Sequence, residues 1–92
     1  MSVRKDDAEE MERMRAWVNH VAQTLDISPE DYESLEVPLL ALTRVIAHGP
    51  SRPGAPLTTY LAGLAAGRGD DATEVIEQIS ALAVSYDQEA DK

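Results

Sequence analysis

The sequence has no cysteine and no phenylalanine, and its aromatic residues are one tryptophan and three tyrosines among 92 residues. Without cysteine, disulfides, thiolate zinc sites and cysteine nucleophiles are excluded, so stability has to come from packing. Few aromatic residues beside abundant leucine and alanine favour helices over strands. We therefore expect a small all-α protein with an aliphatic core.

Long apolar runs and an excess of basic charge are also missing. The most apolar segment, residues 57–66, has about half of the roughly 20 residues that cross a bilayer. The first residues carry two basic side chains but no apolar run behind them, unlike a signal peptide. The net charge of −9 repels phosphate backbones and anionic membranes. We expect a cytoplasmic protein that binds neither nucleic acid nor membrane.

Apolar residues recur at helical spacing in segments of about 7–25, 37–48 and 56–67 and from Asp71 onward. This pattern predicts an all-α, compact bundle of four main helices with short loops and an extra short helical turn near residues 29–34. A single helical domain is expected at 8–87, between flexible tails at 1–7 and 88–92.

The third helix is apolar or small nearly all round, which predicts a central position. Large side chains share one face and small ones lie opposite; the large ones are Leu57, Tyr60, Leu61 and Leu64, and the small ones are Ala62, Gly63, Ala66 and Gly67. Because glycine in a helix interior costs roughly 1 kcal/mol relative to alanine, we expect a close-packed neighbour at Gly63. Trp17 and Tyr60 are also expected in the core, with an interface as the alternative for both.

Turn residues predict where the helices begin and end. Gly49 is expected in a left-handed conformation after the second helix, and Pro56 is expected to open the third. Asp71 is expected to cap the last helix, with Glu74 completing a capping box.

Residue patterns that carry catalysis are not found in the sequence. His20 and His48 lie on different predicted helices, and neither has a metal-ligand partner at a suitable spacing. No serine lies in a nucleophile elbow, and the glycines do not fit a phosphate-binding loop. We expect no metal, no cofactor and no catalytic residue, and hence no enzyme.

A small basic spot in this acidic chain is the feature that most suggests a binding site. Free amides and hydroxyls at the start of the third helix, beside a guanidinium, suit a phosphate or a carboxylate. The alternative is structural, because cations near a helix C-terminus favour the helix dipole and threonines satisfy groups of a first turn. In the same interpretation Arg52 pairs with one of the many carboxylates of the chain. The residues assigned to this anion or partner site are Arg44, His48, Arg52, Thr58, Thr59 and Tyr60.

The central run of the sequence resembles DUF6457, a small actinobacterial domain of unknown function. Its pattern, His-Gly-x-x-Arg-Pro-x-Ala-Pro-Leu-Thr-Thr followed by a small-residue helix, falls on His48, Gly49, Arg52, Pro53, Ala55, Pro56, Leu57, Thr58, Thr59 and Gly63. The likeness covers roughly residues 14–86, and the central run is its specific part. The resemblance implies a setting in molybdenum-cofactor biosynthesis, where such domains occur alone or fused to guanylyltransferase-like enzymes.

Two functional hypotheses follow. The first is a non-enzymatic accessory module that binds a protein partner, such as an enzyme of molybdenum-cofactor biosynthesis, through the loop from His48 to Thr59. The alternative is a small-ligand domain that holds the phosphate of a nucleotide or pterin at the start of the third helix. A homodimer stays open in both cases, since small helical domains often gain core by dimerising.

Overall fold

In a computed structural model of the chain, the backbone is described for residues 5–90 and the side chains for residues 7–86. The helices are α1 (Lys5–Thr24), α2 (Glu36–His48), α3 (Gly54–Gly67) and α4 (Ala72–Ala90), with two short 3₁₀ turns at Pro29–Asp31 and Glu33–Leu35. No strand occurs in this part of the chain. The predicted all-α fold of four main helices, short loops and an extra helical turn is confirmed.

Backbone contacts divide the chain into two compact units, residues 1–34 and residues 35–92. The predicted tails, 1–7 and 88–92, lie largely outside the described residues. In the first unit α1 is followed by a tight turn, where Asp26 is left-handed (φ 60°). The Ile27 amide donates to the Ala22 carbonyl at 2.8 Å, and the Tyr32 hydroxyl donates to Asn19 Oδ1 at 3.3 Å. These bonds tie the first 3₁₀ turn back to α1.

Trp17 lies on the solvent side of α1, and its predicted place in the core is wrong. Its exposed fraction is 65%, and its ring lies 6.2 Å from that of His20. At 100° per residue, Trp17 is about a quarter turn away from the middle of the apolar stripe of α1. The half-buried members of that stripe are Met11, Met14, Val18 and Val21.

In the second unit α2, α3 and α4 all contact one another, which makes a three-helix bundle. Its core is small and aliphatic, and consists of Leu42, Ile46, Ala55, Ile76 and Ala83, with Leu35, Leu39, Ala47 and Ile79 packed at the edge. Leu42 is 1% exposed and is the one large side chain of the described residues that is fully buried. None of the helices in the described part combines the length and the apolar content that a membrane crossing requires.

The turns of this bundle follow local chemistry, with one exception. Asp71 caps α4 as predicted, because its Oδ1 accepts the Glu74 amide at 3.0 Å. Gly49 is not left-handed: its φ is −108°, and the Ser51 amide closes the turn on the Ile46 carbonyl at 3.1 Å. The left-handed glycine is Gly69, with φ 113°, between α3 and α4.

The orientation of α3 is the largest departure from expectation. Its alanines lie on the inner side, with Ala55 and Ala62 buried, while Leu57, Leu61 and Leu64 face solvent. Gly63 and Gly67 are exposed as well. The prediction that Tyr60 lies in the core is therefore wrong, and so is the neighbour expected at Gly63, because a Cβ placed there meets nothing within 4 Å. Alanines on the inner side let α3 approach two helices closely, and that leaves the leucines outside.

Candidate functional site

The loop between α2 and α3, residues 49–53, is held by hydrogen bonds at both ends. The Ser51 amide donates to the Ile46 carbonyl at 3.1 Å, and the Ala55 amide donates to the Arg52 carbonyl at 3.2 Å. The Gly54 amide donates to Ser51 Oγ at 3.2 Å. Proline at positions 50 and 53 fixes two further backbone angles. The loop is therefore ordered before it binds anything, which lowers the entropy cost of recognition.

Three side chains of the predicted site project from this loop and from the end of α2. Arg44, His48 and Arg52 are all exposed. Arg44 and His48 are four residues apart on α2, so they share one face of the helix. None of the three forms an ion pair or a side-chain hydrogen bond with the described residues. Pairing of Arg52 with a carboxylate of its own chain, the structural alternative, is not seen in this part of the protein.

The start of α3 offers fewer free donors than the sequence suggested. A helix begins with up to four amide positions that lack an intrahelical partner, and here, with Pro53 as N-cap, they are residues 53–56, of which Pro53 has no N–H. The Gly54 amide already donates to Ser51 Oγ, the Ala55 amide donates to the Arg52 carbonyl, and Pro56 has no N–H. An anion at this helix start would have to displace bonds that the loop already makes.

The remaining predicted site residues do not converge on one point. Thr58 and Thr59 are half-buried, whereas Tyr60 is exposed. Three consecutive residues of a helix point about 100° apart, so Thr58 and Tyr60 face different sides of α3. The Thr59 hydroxyl is also engaged, because it donates to the Pro56 carbonyl at 2.9 Å. The site that remains consists of Arg44 and His48 on α2 and Arg52 in the loop that follows it.

Groups suited to catalysis or metal binding are scarce in the described side chains. No three histidine, aspartate or glutamate side chains among them are placed to share a metal ion. None of the described polar or charged residues is buried. A nucleophile or base is activated by burial and by a specific neighbour, and none of the described groups has both.

The exposed side of α3 is a second surface of interest, which sequence analysis missed. Leu57, Tyr60, Leu61 and Leu64 are each 52–68% exposed. On the same face α3 has a shallow, open groove, lined by Pro56, Thr59 and Gly63 together with two of these four side chains, Tyr60 and Leu64. The absence of any charged residue in Gly54–Gly67 was the signal that pointed to an unusual helix.

Comparison with known proteins gives a family and nothing more specific. No curated protein and no solved structure matches the chain. A family described as a domain of unknown function matches residues 9–91, which is nearly the whole chain. The protein belongs to this family, DUF6457.

Proposed function

We propose that the protein is a non-enzymatic helical interaction module that docks a partner protein on the loop between α2 and α3. The observation that carries the proposal is the exposed Arg52 on a hydrogen-bonded loop, with no ion pair to the described part of its own chain. In a chain of net charge −9, an arginine that pairs with none of the described carboxylates is available to a carboxylate of a partner. Arg44 and His48 are exposed too, on one face of α2.

The proposed partner presents an acidic segment to this loop. A guanidinium binds a carboxylate through two parallel hydrogen bonds, which gives orientation as well as affinity. The partner to try first is an enzyme of molybdenum-cofactor biosynthesis, because the resemblance to DUF6457 implies that pathway. Kinship of this kind indicates a context and does not by itself give a function.

Binding of a small phosphate-containing ligand is the alternative proposal for the same surface. It uses Arg52 together with the start of α3, as in many phosphate sites at helix N-termini. It is the weaker of the two, because the Gly54 and Ala55 amides are already donors within the loop and Pro56 has none to give. A partner carboxylate needs only the exposed guanidinium.

The test is capture of partners from the host lysate, followed by titration of the purified partner with three proteins. These are the unmutated chain, Arg52→Ala and the control Arg68→Ala. Arg68 is a suitable control because it is exposed and its single ion pair, to Asp70 at 3.0 Å, lies at the other end of α3. Both variants remove one positive charge, so a general electrostatic effect should be equal in both.

We expect Arg52→Ala to weaken binding by about ten- to a hundredfold, the effect of losing a charged hydrogen-bonded contact, with helicity by circular dichroism unchanged. Equal affinities for Arg52→Ala and Arg68→Ala would refute docking on this loop. If instead inorganic phosphate, a nucleotide or a pterin raises the melting temperature of the unmutated chain and not of Arg52→Ala, the ligand alternative is the correct one.

A further inference from the structure

On its outer face, α3 exposes the large apolar side chains that a helix of a single folded chain usually buries. Its buried residues are alanines, while its large apolar residues are exposed. We infer that this face, centred on Leu57, Tyr60, Leu61 and Leu64, is the interface of a weak symmetric homodimer. This inference goes beyond docking on the α2–α3 loop and does not depend on it.

The shape of the face argues for a second copy as its occupant. In packed helices a side chain of one helix enters a hole between four residues of the other, at positions i, i+3, i+4 and i+7. Pro56, Thr59, Tyr60 and Gly63 have this spacing, and they are four of the five residues that line the groove on α3. The groove is open because Gly63 has no side chain and no neighbour within 4 Å of a Cβ.

The same helix also carries the side chains that would fill such a hole. At 100° per residue, Leu57, Leu61 and Leu64 form a ridge along one edge of the outer face, and Gly63 lies on the other edge. A two-fold axis places the ridge of each copy against the groove of the other, so one surface is complementary to itself. A different protein would have to supply the same ridge independently.

The absence of charge on α3 favours this face for self-association over helix faces that carry acidic side chains. The chain has a net charge of −9, so two copies repel each other wherever acidic side chains meet. Charged residues occur in α1, α2 and α4 but not in α3. Contact through α3 therefore brings two apolar surfaces together without placing like charges opposite each other.

The area of the face sets the expected strength of the dimer. With roughly 200 Å² for a tyrosine and roughly 100 Å² for a leucine side chain, the exposed fractions give about 300 Å² of apolar surface from these four residues. That is the size of the largest, often functional, patch on a typical monomer. It is also below the roughly 800 Å² per partner of a standard interface. We therefore expect a reversible dimer that dissociates on dilution into the micromolar range.

The experiment is sedimentation equilibrium of the unmutated chain over a wide concentration range, together with three variants. Leu61→Glu places a charge on the ridge, and Gly63→Leu fills the groove without adding charge. Val84→Glu is the control, because Val84 is a comparably exposed apolar residue on α4. Since Leu61 and Val84 are already exposed, neither glutamate is buried in the single chain, and circular dichroism should show unchanged helicity.

We expect the unmutated chain and Val84→Glu to dimerise, and Leu61→Glu and Gly63→Leu to shift the dimer dissociation constant upward by at least about tenfold. An unmutated chain that stays monomeric at every concentration would overturn the inference. So would a dimer that survives both Leu61→Glu and Gly63→Leu, since its interface would then lie elsewhere. Partner binding through Arg52 is measured separately, so failure of the dimer leaves docking on the loop intact.

Discussion

Replacing Gly63 with alanine should stabilise the monomer, which is unusual for a substitution inside a folded domain. Gly63 lies in the interior of α3, where glycine costs about 0.8–1.0 kcal/mol relative to alanine. A Cβ at this position meets no atom within 4 Å, so no steric penalty offsets the gain. We expect the free energy of unfolding to rise by about 1 kcal/mol, which for a domain of this size raises the melting temperature by roughly 4–8 °C.

The assay is urea and thermal unfolding followed by far-ultraviolet circular dichroism, at protein concentrations low enough to keep the chain monomeric. Circular dichroism is the appropriate signal because the only tryptophan, Trp17, lies outside the unit that contains α3. Gly69→Ala is the matched control. Gly69 has φ 113°, where an L-residue is strained by roughly 1–2 kcal/mol, so the same chemical change should destabilise the protein there.

A destabilised Gly63→Ala variant at low concentration would refute this reasoning, because it would mean that something packs against Gly63 within one chain. Concentration provides a second check. A dimer stabilises the folded chain by mass action, and a methyl group at Gly63 narrows the groove. The advantage of Gly63→Ala over the unmutated chain should therefore shrink as the protein concentration rises.

Two further substitutions test the core and the cap of the second unit. Leu42→Ala should lower the free energy of unfolding by about 2–5 kcal/mol, because Leu42 is 1% exposed and at the centre of a small core. Urea unfolding measures this loss of stability, and a loss below about 1 kcal/mol would contradict the packing. Asp71→Ala should lower the free energy of unfolding by about 1 kcal/mol, because the Glu74 amide loses its acceptor at Asp71 Oδ1. Asp71→Asn should retain most of that stability. Equal losses in both variants would show that the cap hydrogen bond contributes nothing.

The positions of the helices could be predicted from the sequence because local chemistry sets them. The Asp71 cap and the proline after α2 act within a few residues of the chain. The third helix begins at Gly54, before Pro56, because bonds from Ser51 and Arg52 extend its first turn into the loop. An error of this kind is small and does not change the fold.

The side that α3 turns toward its neighbours could not be predicted in the same way. Periodicity assigns a face to the core when polar residues mark the opposite face, and α3 has no charged residue to mark one. The choice between burying alanines and burying leucines depends on how closely α2 and α4 approach, which is a tertiary property. The site at Arg52 stays a prediction, but the exposed position of this arginine in a hydrogen-bonded loop follows from local sequence and needs no tertiary information.

The α2–α3 loop and the outer face of α3 belong to the same unit. Together they predict how the protein binds a partner that is immobilised at high density on a surface. A dimer formed through α3 presents two copies of Arg52, so on a surface dense with partner the second contact becomes intramolecular and dissociation slows. Leu61→Glu should then speed dissociation from a dense surface while leaving the affinity for soluble, monovalent partner unchanged. Arg52→Ala should weaken both and leave the dimer intact. If Leu61→Glu also lowers the affinity for soluble partner, the partner itself contacts α3, and the leucine ridge belongs to the docking surface rather than to a second copy of the chain.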